Sequence, residues 1–313
     1  MTSLVRILST GRAGTKYIAN AFADQGYLSY HEDLYAGEPS SALIHYTRML
    51  GDMWFHDRKK YYAYDSDFAR PYMAAVGKQL GIELNKRGEV KVGKSASRKG
   101  GTKDSVSVVI DSGHRLTPAT PLIEKEGDRA GVEIKYLILY RNPLRTIHGL
   151  FKVEGQAGMQ EGPYRNRPAS FSEEGGYLGA AGVWANTYRM AYDQRKHLGE
   201  ERFAFLDLER FNFDEEHIDE IFSFLELDYD KKGFAQFANN ILGQPLRSSK
   251  SDSARNSHVF HDPGFSFSED EIEQIHARVE DVLEPYGMSW QKIVDDYADF
   301  HAKEKERLGF DKG

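Results

Sequence analysis

Leu4-Val-Arg-Ile-Leu-Ser-Thr-Gly-Arg-Ala-Gly-Thr-Lys-Tyr17 is an apolar run that breaks into Gly11-Arg12-Ala13-Gly14-Thr15-Lys16 and continues into the helix-forming Ile18-Ala-Asn-Ala-Phe22. It reads as strand, tight turn and helix. Glycines let the backbone turn with its N–H groups pointing inward, and the helix that follows presents unpaired N–H groups and the positive end of its dipole. Such a turn is an anion cradle, although many strand-to-helix turns carry glycines for the turn alone. Arg12, Thr15 and Lys16 add cationic and hydroxyl donors, so the natural guest is a phosphate or sulfate. The spacing is not that of a Walker A loop, which needs Gly, four residues, Gly-Lys and then Ser or Thr. Here only Arg12 and Ala13 separate Gly11 from Gly14, and Lys16 is followed by Tyr17.

Working outward, Tyr27-Leu-Ser-Tyr30 reads as a short strand ending in His31-Glu32-Asp33. Ser105-Val-Ser-Val-Val-Ile110 is a β-branched apolar run, as expected of a buried parallel strand, and it ends in Asp111-Ser-Gly-His114. A helix follows from Pro118 to about Ala130, then a strand, Ile134 to Tyr140, which delivers Arg141-Asn-Pro-Leu-Arg-Thr-Ile-His-Gly149. Arg202-Phe-Ala-Phe-Leu206 is a further strand, followed by Asp207-Leu-Glu-Arg-Phe211 and a helix from Glu215 to Leu225. Strands that alternate with helices predict an α/β fold with a mostly parallel central sheet, its functional residues gathered at the strands' C-terminal ends.

Residues 39–83 carry helical periodicity and many aromatic side chains, mainly core and helix contacts, with a minority suited to an acceptor pocket. Segment 85–103 holds seven cationic side chains against Glu89 alone and reads as a surface loop or hairpin. The Gly-rich stretch 155–179 predicts an extended loop before a helix from Ala180 to about Leu198. Two helices near 268–284 and 289–306 close the chain, the last with a stripe of Trp290, Ile293, Val294, Tyr297 and Phe300 that suits a core or a subunit contact in a homo-oligomer. One domain over 1–313 follows, with an aromatic-rich helical and basic insertion at about 39–103 and a C-terminal helical extension at about 268–306.

Composition narrows the function. A hydrophobic content of 40% with 28% charged residues suits a globular chain of 313 residues with a sizeable core. There are no cysteines, so neither disulfides nor thiolate metal sites form, and the 11 histidines show no metal-ligand spacing, which predicts chemistry without a metal. A net charge of −7 argues against a nucleic-acid partner. No apolar run approaches the ~20 residues needed to cross a bilayer, and the loop begins within ten residues of Met1, so a cytoplasmic protein with no membrane partner is expected.

Several stretches, in order, resemble the sulfotransferase family. Ser9-Thr-Gly-Arg-Ala-Gly-Thr-Lys-Tyr17 is similar to its 5′-phosphosulfate loop, with Arg12 at the basic position, Gly14-Thr15 as the Gly-Thr pair and Tyr17 as the aromatic. Tyr140-Arg-Asn-Pro-Leu-Arg-Thr-Ile-His-Gly-Leu150 resembles the second signature, in which Arg-Asn/Asp-Pro opens a helix and a later Ser joins the Arg on the 3′-phosphate. Arg141 matches, but Gly149 stands where the Ser is expected. Leu206-Asp-Leu-Glu-Arg-Phe211 before an acidic helix resembles a third segment, and the likeness covers about 4–34 and 105–228.

The resemblance implies a P-loop-type α/β fold and transfer of a sulfuryl group from 3′-phosphoadenosine-5′-phosphosulfate (PAPS) to a hydroxyl or amine on a small-molecule or carbohydrate acceptor, with no metal. It implies donor contacts from Gly11, Arg12, Ala13, Gly14, Thr15, Lys16, Tyr17 and Arg141, and from Arg255 in a late basic loop. In-line transfer is mainly positioning plus electrostatic stabilisation of the departing oxygen, a role for Arg12. A base should deprotonate the acceptor, and two positions compete: Glu32, placed as in carbohydrate and bacterial relatives, and His114, placed as in the cytosolic ones. Two other readings stay open. One is a small-molecule kinase or nucleotide hydrolase with Val-Val-Ile-Asp111 as its magnesium strand and Lys16 as its phosphate lysine; the other is a non-catalytic relative that binds a nucleotide or glycan.

Overall fold

A computed structural model of the chain describes residues 2–31, 40–82, 84–85, 87–89, 107–152, 167–242 and 266–308. Strand β1 (Thr2–Leu8) lies at the centre of a five-stranded sheet. Leu4, Val5, Ile7 and Leu8 are all buried because both faces of this strand are covered. Helix α1 (Thr15–Asp24) leads to the short edge strand β2 (Leu28–Tyr30). The aromatic-rich region then forms α2 (Ser40–His56), α3 (Arg58–Ala63) and α4 (Arg70–Leu80). Strand β3 (Ser107–Asp111) returns between β2 and β1, and α5 (Thr120–Ala130) crosses to β4 (Glu133–Tyr140) on the other side of β1. Helices α6 (Pro143–Leu150) and α7 (Gly176–Leu198) precede β5 (Phe203–Asp207). Then come α8 (Leu208–Phe211), α9 (Glu215–Leu225), α10 (Lys231–Leu242), α11 (Glu269–Leu283) and α12 (Trp290–Leu308).

The strand order is β2-β3-β1-β4-β5, and every neighbouring pair is parallel. Alternate side chains of the strands feed two cores. Leu4, Leu8, Val109, Ile134 and Ile138 face one layer with α2, α4, α5, α6, α7 and the terminal helices. Val5, Ile7, Ile110, Leu137 and Leu139 face another with α1, α8, α9 and α10. Helix α10 is absent from the sequence reading; its apolar residues Phe234, Phe237 and Ala238 are few, and their burial comes from Phe222, Tyr229 and Tyr17.

The chain leaves β1 towards β2 on one side and leaves β4 towards β5 on the other. A crevice therefore opens outside the C-terminal ends of β1 and β4, the topological switch point where such sheets hold ligands. One expectation needs correction. Helix α7 begins at Gly176 rather than Ala180, so Gly176 and Gly179 belong to it. A Cβ added at Gly182 would lie 2.5 Å from the carbonyl oxygen of Phe171, so a glycine there lets the turn at Ala169–Phe171 close on the helix. Residues 153–166 of the predicted loop and most of the basic segment lie outside the described residues.

Candidate functional site

The turn after β1 has an unusual backbone. Gly11 (φ 78°), Arg12 (φ 56°) and Gly14 (φ 99°) all take positive φ. Arg12 and Glu226 are the non-glycine residues that do so among those described, and the conformation costs an L-residue about 1–2 kcal/mol. Local bonds hold it. The Gly11 N–H donates to Ser9 Oγ at 3.3 Å and Thr10 Oγ1 donates to the Gly11 carbonyl at 2.7 Å. Gly14 is the N-cap of α1; no side chain caps that end, and its first turn contains no acidic residue. The N–H groups of the first turn and the positive end of the dipole are thus left for a guest. Thr15 is buried, Lys16 is exposed, and Ala13 sits in the core. The ring of Tyr17 lies 5.6 Å from that of Phe237, and its buried hydroxyl makes no hydrogen bond, with burial pushing its pKa up to about 12.

Both glycines also admit neighbours. A Cβ at Gly11 would lie 2.7 Å from His114 Nε2, and one at Gly14 would lie 2.6 Å from Leu208 Cδ2. The loop is thus sandwiched between the His114 ring and α8. His114 is partly buried, and its pKa is held well below the ordinary histidine value, first by desolvation of the ring and then by the positive field of Arg167, Arg115, His31 and Arg12. A neutral ring results, able to accept a proton. The Thr117 side chain stitches the two segments together, lying 3.4 Å from the Ser9 N–H and donating to the His114 carbonyl at 2.9 Å. A cavity of about 20 Å³, the size of one water, lies beside them, lined by Ser9, Thr47, His114, Arg115, Thr117 and Arg167 among others.

A buried polar knot anchors the turn that carries His114. Asp111 Oδ2 accepts from Arg6, with which it forms an ion pair, and from Tyr72 Oη at 2.6 Å; its Oδ1 accepts from the Gly113 N–H at 2.8 Å. Arg6 also donates to the Gly113 carbonyl at 3.2 Å. Arg6 and Asp111 face each other across the β1–β3 register and are fully buried. Both carboxylate oxygens therefore have internal partners, and the reading of Asp111 as a magnesium ligand finds no support in this geometry. His31 completes the edge, with Nδ1 3.2 Å from Ser112 Oγ. Glu32 and Arg255 lie outside the described residues.

Across the crevice, β4 delivers Arg141 and α6 starts at once. The Asn142 side chain caps it by accepting from the Arg145 N–H at 3.2 Å, with Pro143 in the first turn. Arg141 Nε and an Arg145 Nη both donate to Glu209 Oε1, at 3.3 and 2.9 Å. Gly149 faces the loop: a Cβ there would lie 3.5 Å from the Arg12 Cβ, ordinary contact. The loop, Arg141 and Gly149 thus share one crevice. Sequence reasoning assigned nothing to Arg145, although it lies one helical turn beyond Arg141. Glu209 carries no local signal; its place is set by Asp207, which caps α8 by accepting from the Glu209 N–H at 2.9 Å. Burial and the Glu209 carboxylate raise the pKa of Asp207.

No family model matches the chain, and no curated protein matches it. Solved structures similar to it include the sulfotransferase domain from the curacin biosynthetic pathway, at 12% identity and a TM-score of 0.49 over 92% of this chain and 99% of that one. The sulfotransferase domain of the Synechococcus PCC 7002 olefin synthase is similar at 13% identity and 0.46, over 90% and 95% of the two chains. A sulfotransferase from Mycobacterium avium is similar at 10% identity and 0.46, over 92% and 78%. The α/β assignment stands on the strand order and pairing themselves. No helix among the described residues is long and apolar enough to cross a membrane.

Proposed function

We propose that the chain is a sulfotransferase that moves a sulfuryl group from PAPS to a hydroxyl or amine acceptor. The observation that carries this reading is the uncapped start of α1, preceded by three positive-φ residues, opening into the same crevice as Arg141. The donor set fits a nucleotide with two anionic ends. Backbone N–H groups from Gly14 to Tyr17, with Thr15 and Lys16, suit the 5′-phosphosulfate, and Arg141 suits the 3′-phosphate.

When bound, PAPS supplies an activated sulfuryl group whose leaving phosphate gains charge in the transfer. Arg12, on the loop beside the start of α1, would supply a permanent cation to that charge. The acceptor proton passes to Glu32 or to His114. For His114, desolvation first and then the neighbouring arginines disfavour the protonated ring, and an anion bound at the loop would relieve the second of these.

Calorimetric titration with 3′-phosphoadenosine-5′-phosphate, beside ATP with magnesium, tests the reading. Metal-independent binding of the bisphosphate in the micromolar range, about −8 kcal/mol, weakened at least tenfold by Arg12→Ala and by Arg141→Ala, is expected. Absence of bisphosphate binding together with magnesium-dependent binding of ATP would refute it.

A further inference from the structure

We propose that Arg141 and Arg145 form a single two-guanidinium anion site in which the Glu209 carboxylate is a built-in occupant, displaced when the 3′-phosphate of the nucleotide arrives. The identity of the ligand rests on the sulfotransferase reading above; the site itself rests on geometry. Both guanidiniums donate to one atom, Glu209 Oε1, at 3.3 and 2.9 Å, so two cations converge on one point that already holds an oxyanion.

The two arginines are fixed from behind. Arg141 stands at the end of β4, directly before the N-cap of α6. The guanidinium of Arg145 lies 3.9 Å from the Phe300 ring centroid on α12. Glu209 is the most exposed of the three at 36%, against 24% for Arg141 and 19% for Arg145, and it belongs to a helix of one turn. It is the member able to swing out. Its neighbour Leu208 lies against Gly14, so the site is joined to the 5′-loop through one residue.

Charge explains why such an occupant is useful. Two guanidiniums on one point repel each other in a half-buried crevice unless an anion sits between them. Glu209 supplies a single negative charge and contacts the pair through one oxygen. A phosphate monoester near neutral pH carries nearly two charges and three oxygens, which match two planar forks better than one carboxylate oxygen does. A carboxylate already in place therefore acts as a threshold: monoanions displace it poorly, and a phosphate dianion displaces it well. The arrangement also gives the 3′-phosphate a second cation on the helix where Gly149 offers no hydroxyl.

The test titrates the full chain with 3′-phosphoadenosine-5′-phosphate and with adenosine 5′-monophosphate, which lacks the 3′ group. Glu209→Gln, which keeps the side chain's size and removes its charge, is expected to bind the bisphosphate at least fivefold tighter and the monophosphate within twofold of the parent. Arg145→Ala is expected to lose at least tenfold for the bisphosphate and to stay within twofold for the monophosphate. Arg145→Gln repeats that test with less lost packing on Phe300, and thermal melts confirm that each variant is folded. Parental bisphosphate binding that is unchanged or weakened in Glu209→Gln overturns the occupant role and leaves the sulfotransferase reading standing. An equal gain for the monophosphate overturns it too, because the effect is then general charge. Failure of the parent to bind the bisphosphate at all removes both.

Discussion

Replacing Gly14 by alanine separates the two demands that the loop makes on that position. The first is conformational: at φ 99° the residue lies beyond the left-handed well of L-residues, which costs about 1–3 kcal/mol for a side chain of any size. The second is steric: the new methyl would lie 2.6 Å from Leu208 Cδ2 and 3.1 Å from its Cδ1, an overpacking worth about 1–3 kcal/mol. Together they predict a loss of roughly 2–6 kcal/mol, a large share of the ~5–15 kcal/mol by which domains are stable. Urea unfolding reads this as a lower midpoint at unchanged slope. Leu208→Ala removes the steric part alone, so the double variant should be more stable than the sum of the single changes by about 1–3 kcal/mol. Binding of the bisphosphate should not recover, because the φ constraint still turns the first-turn N–H groups away. Additivity within about 0.5 kcal/mol would refute the steric account, and full recovery of binding in the double variant would refute the backbone account.

Two further outcomes follow from the buried groups. Asp111→Asn removes the carboxylate paired with the buried Arg6 guanidinium and is expected to cost about 3–5 kcal/mol, against about 1.5–3 kcal/mol for Tyr72→Phe, which removes the short hydrogen bond to Asp111 and the longer one accepted from Arg6; urea midpoints that rank the two the other way would contradict the knot as described. His114 is neutral in the folded chain and titrates near 6.5 when unfolded, so below about pH 6.5 the unfolded chain binds the extra proton and stability falls, by at most about 1.4 kcal/mol per pH unit. Unfolding curves at pH 7.5 and 5.5 for the parent and for His114→Gln test this: the variant should show the shallower loss, and identical losses would show that the ring carries no depressed pKa.

Much of the scaffold could be read from periodicity. The runs at Leu4–Leu8, Val108–Ile110 and Tyr136–Leu139 are buried on both faces, and such strands announce themselves as largely continuous hydrophobic stretches. The turn Gly11–Thr15 was legible because only glycine answers both a positive φ and a close neighbour. Other features depend on partners remote in the chain. Nothing near Gly182 says that the Phe171 carbonyl will press on it, and nothing near Lys231 says that Phe234 will be covered by Phe222 and Tyr229. Arg12 illustrates the limit in the site itself: its residue type marked it as a cation for the anion cradle, while its left-handed backbone depends on the hydroxyls of Ser9 and Thr10. Glu209 reaches Arg141 and Arg145 because β5 lies beside β4, which places Asp207 opposite Tyr140.

Arg6 decides what kind of anion chemistry the crevice can support. It stands alone as a charge in the apolar run of the central strand, and burial of a lone guanidinium is costly enough to require a carboxylate within reach. Register supplies it: β1 and β3 pair in parallel with Arg6 opposite Asp111. Once that pair forms, with Tyr72 Oη and the Gly113 N–H filling the remaining acceptor positions, the strand beside the anion loop ends in a neutralised carboxylate. A phosphoryl-transfer site that relies on magnesium needs such a carboxylate open to the cation. Here the carboxylate accepts from the Gly113 N–H while its partner Arg6 donates to the Gly113 carbonyl, and the pair so sets the position of the His114 ring against Gly11. Counter-charge for a bound anion must then come from cations around the crevice, and Arg12, Arg141 and Arg145 surround it from the loop, the end of β4 and the first turn of α6. One unexpected arginine in a buried strand thus turns a position that could have held a metal ligand into a support for His114, one of the two candidate bases.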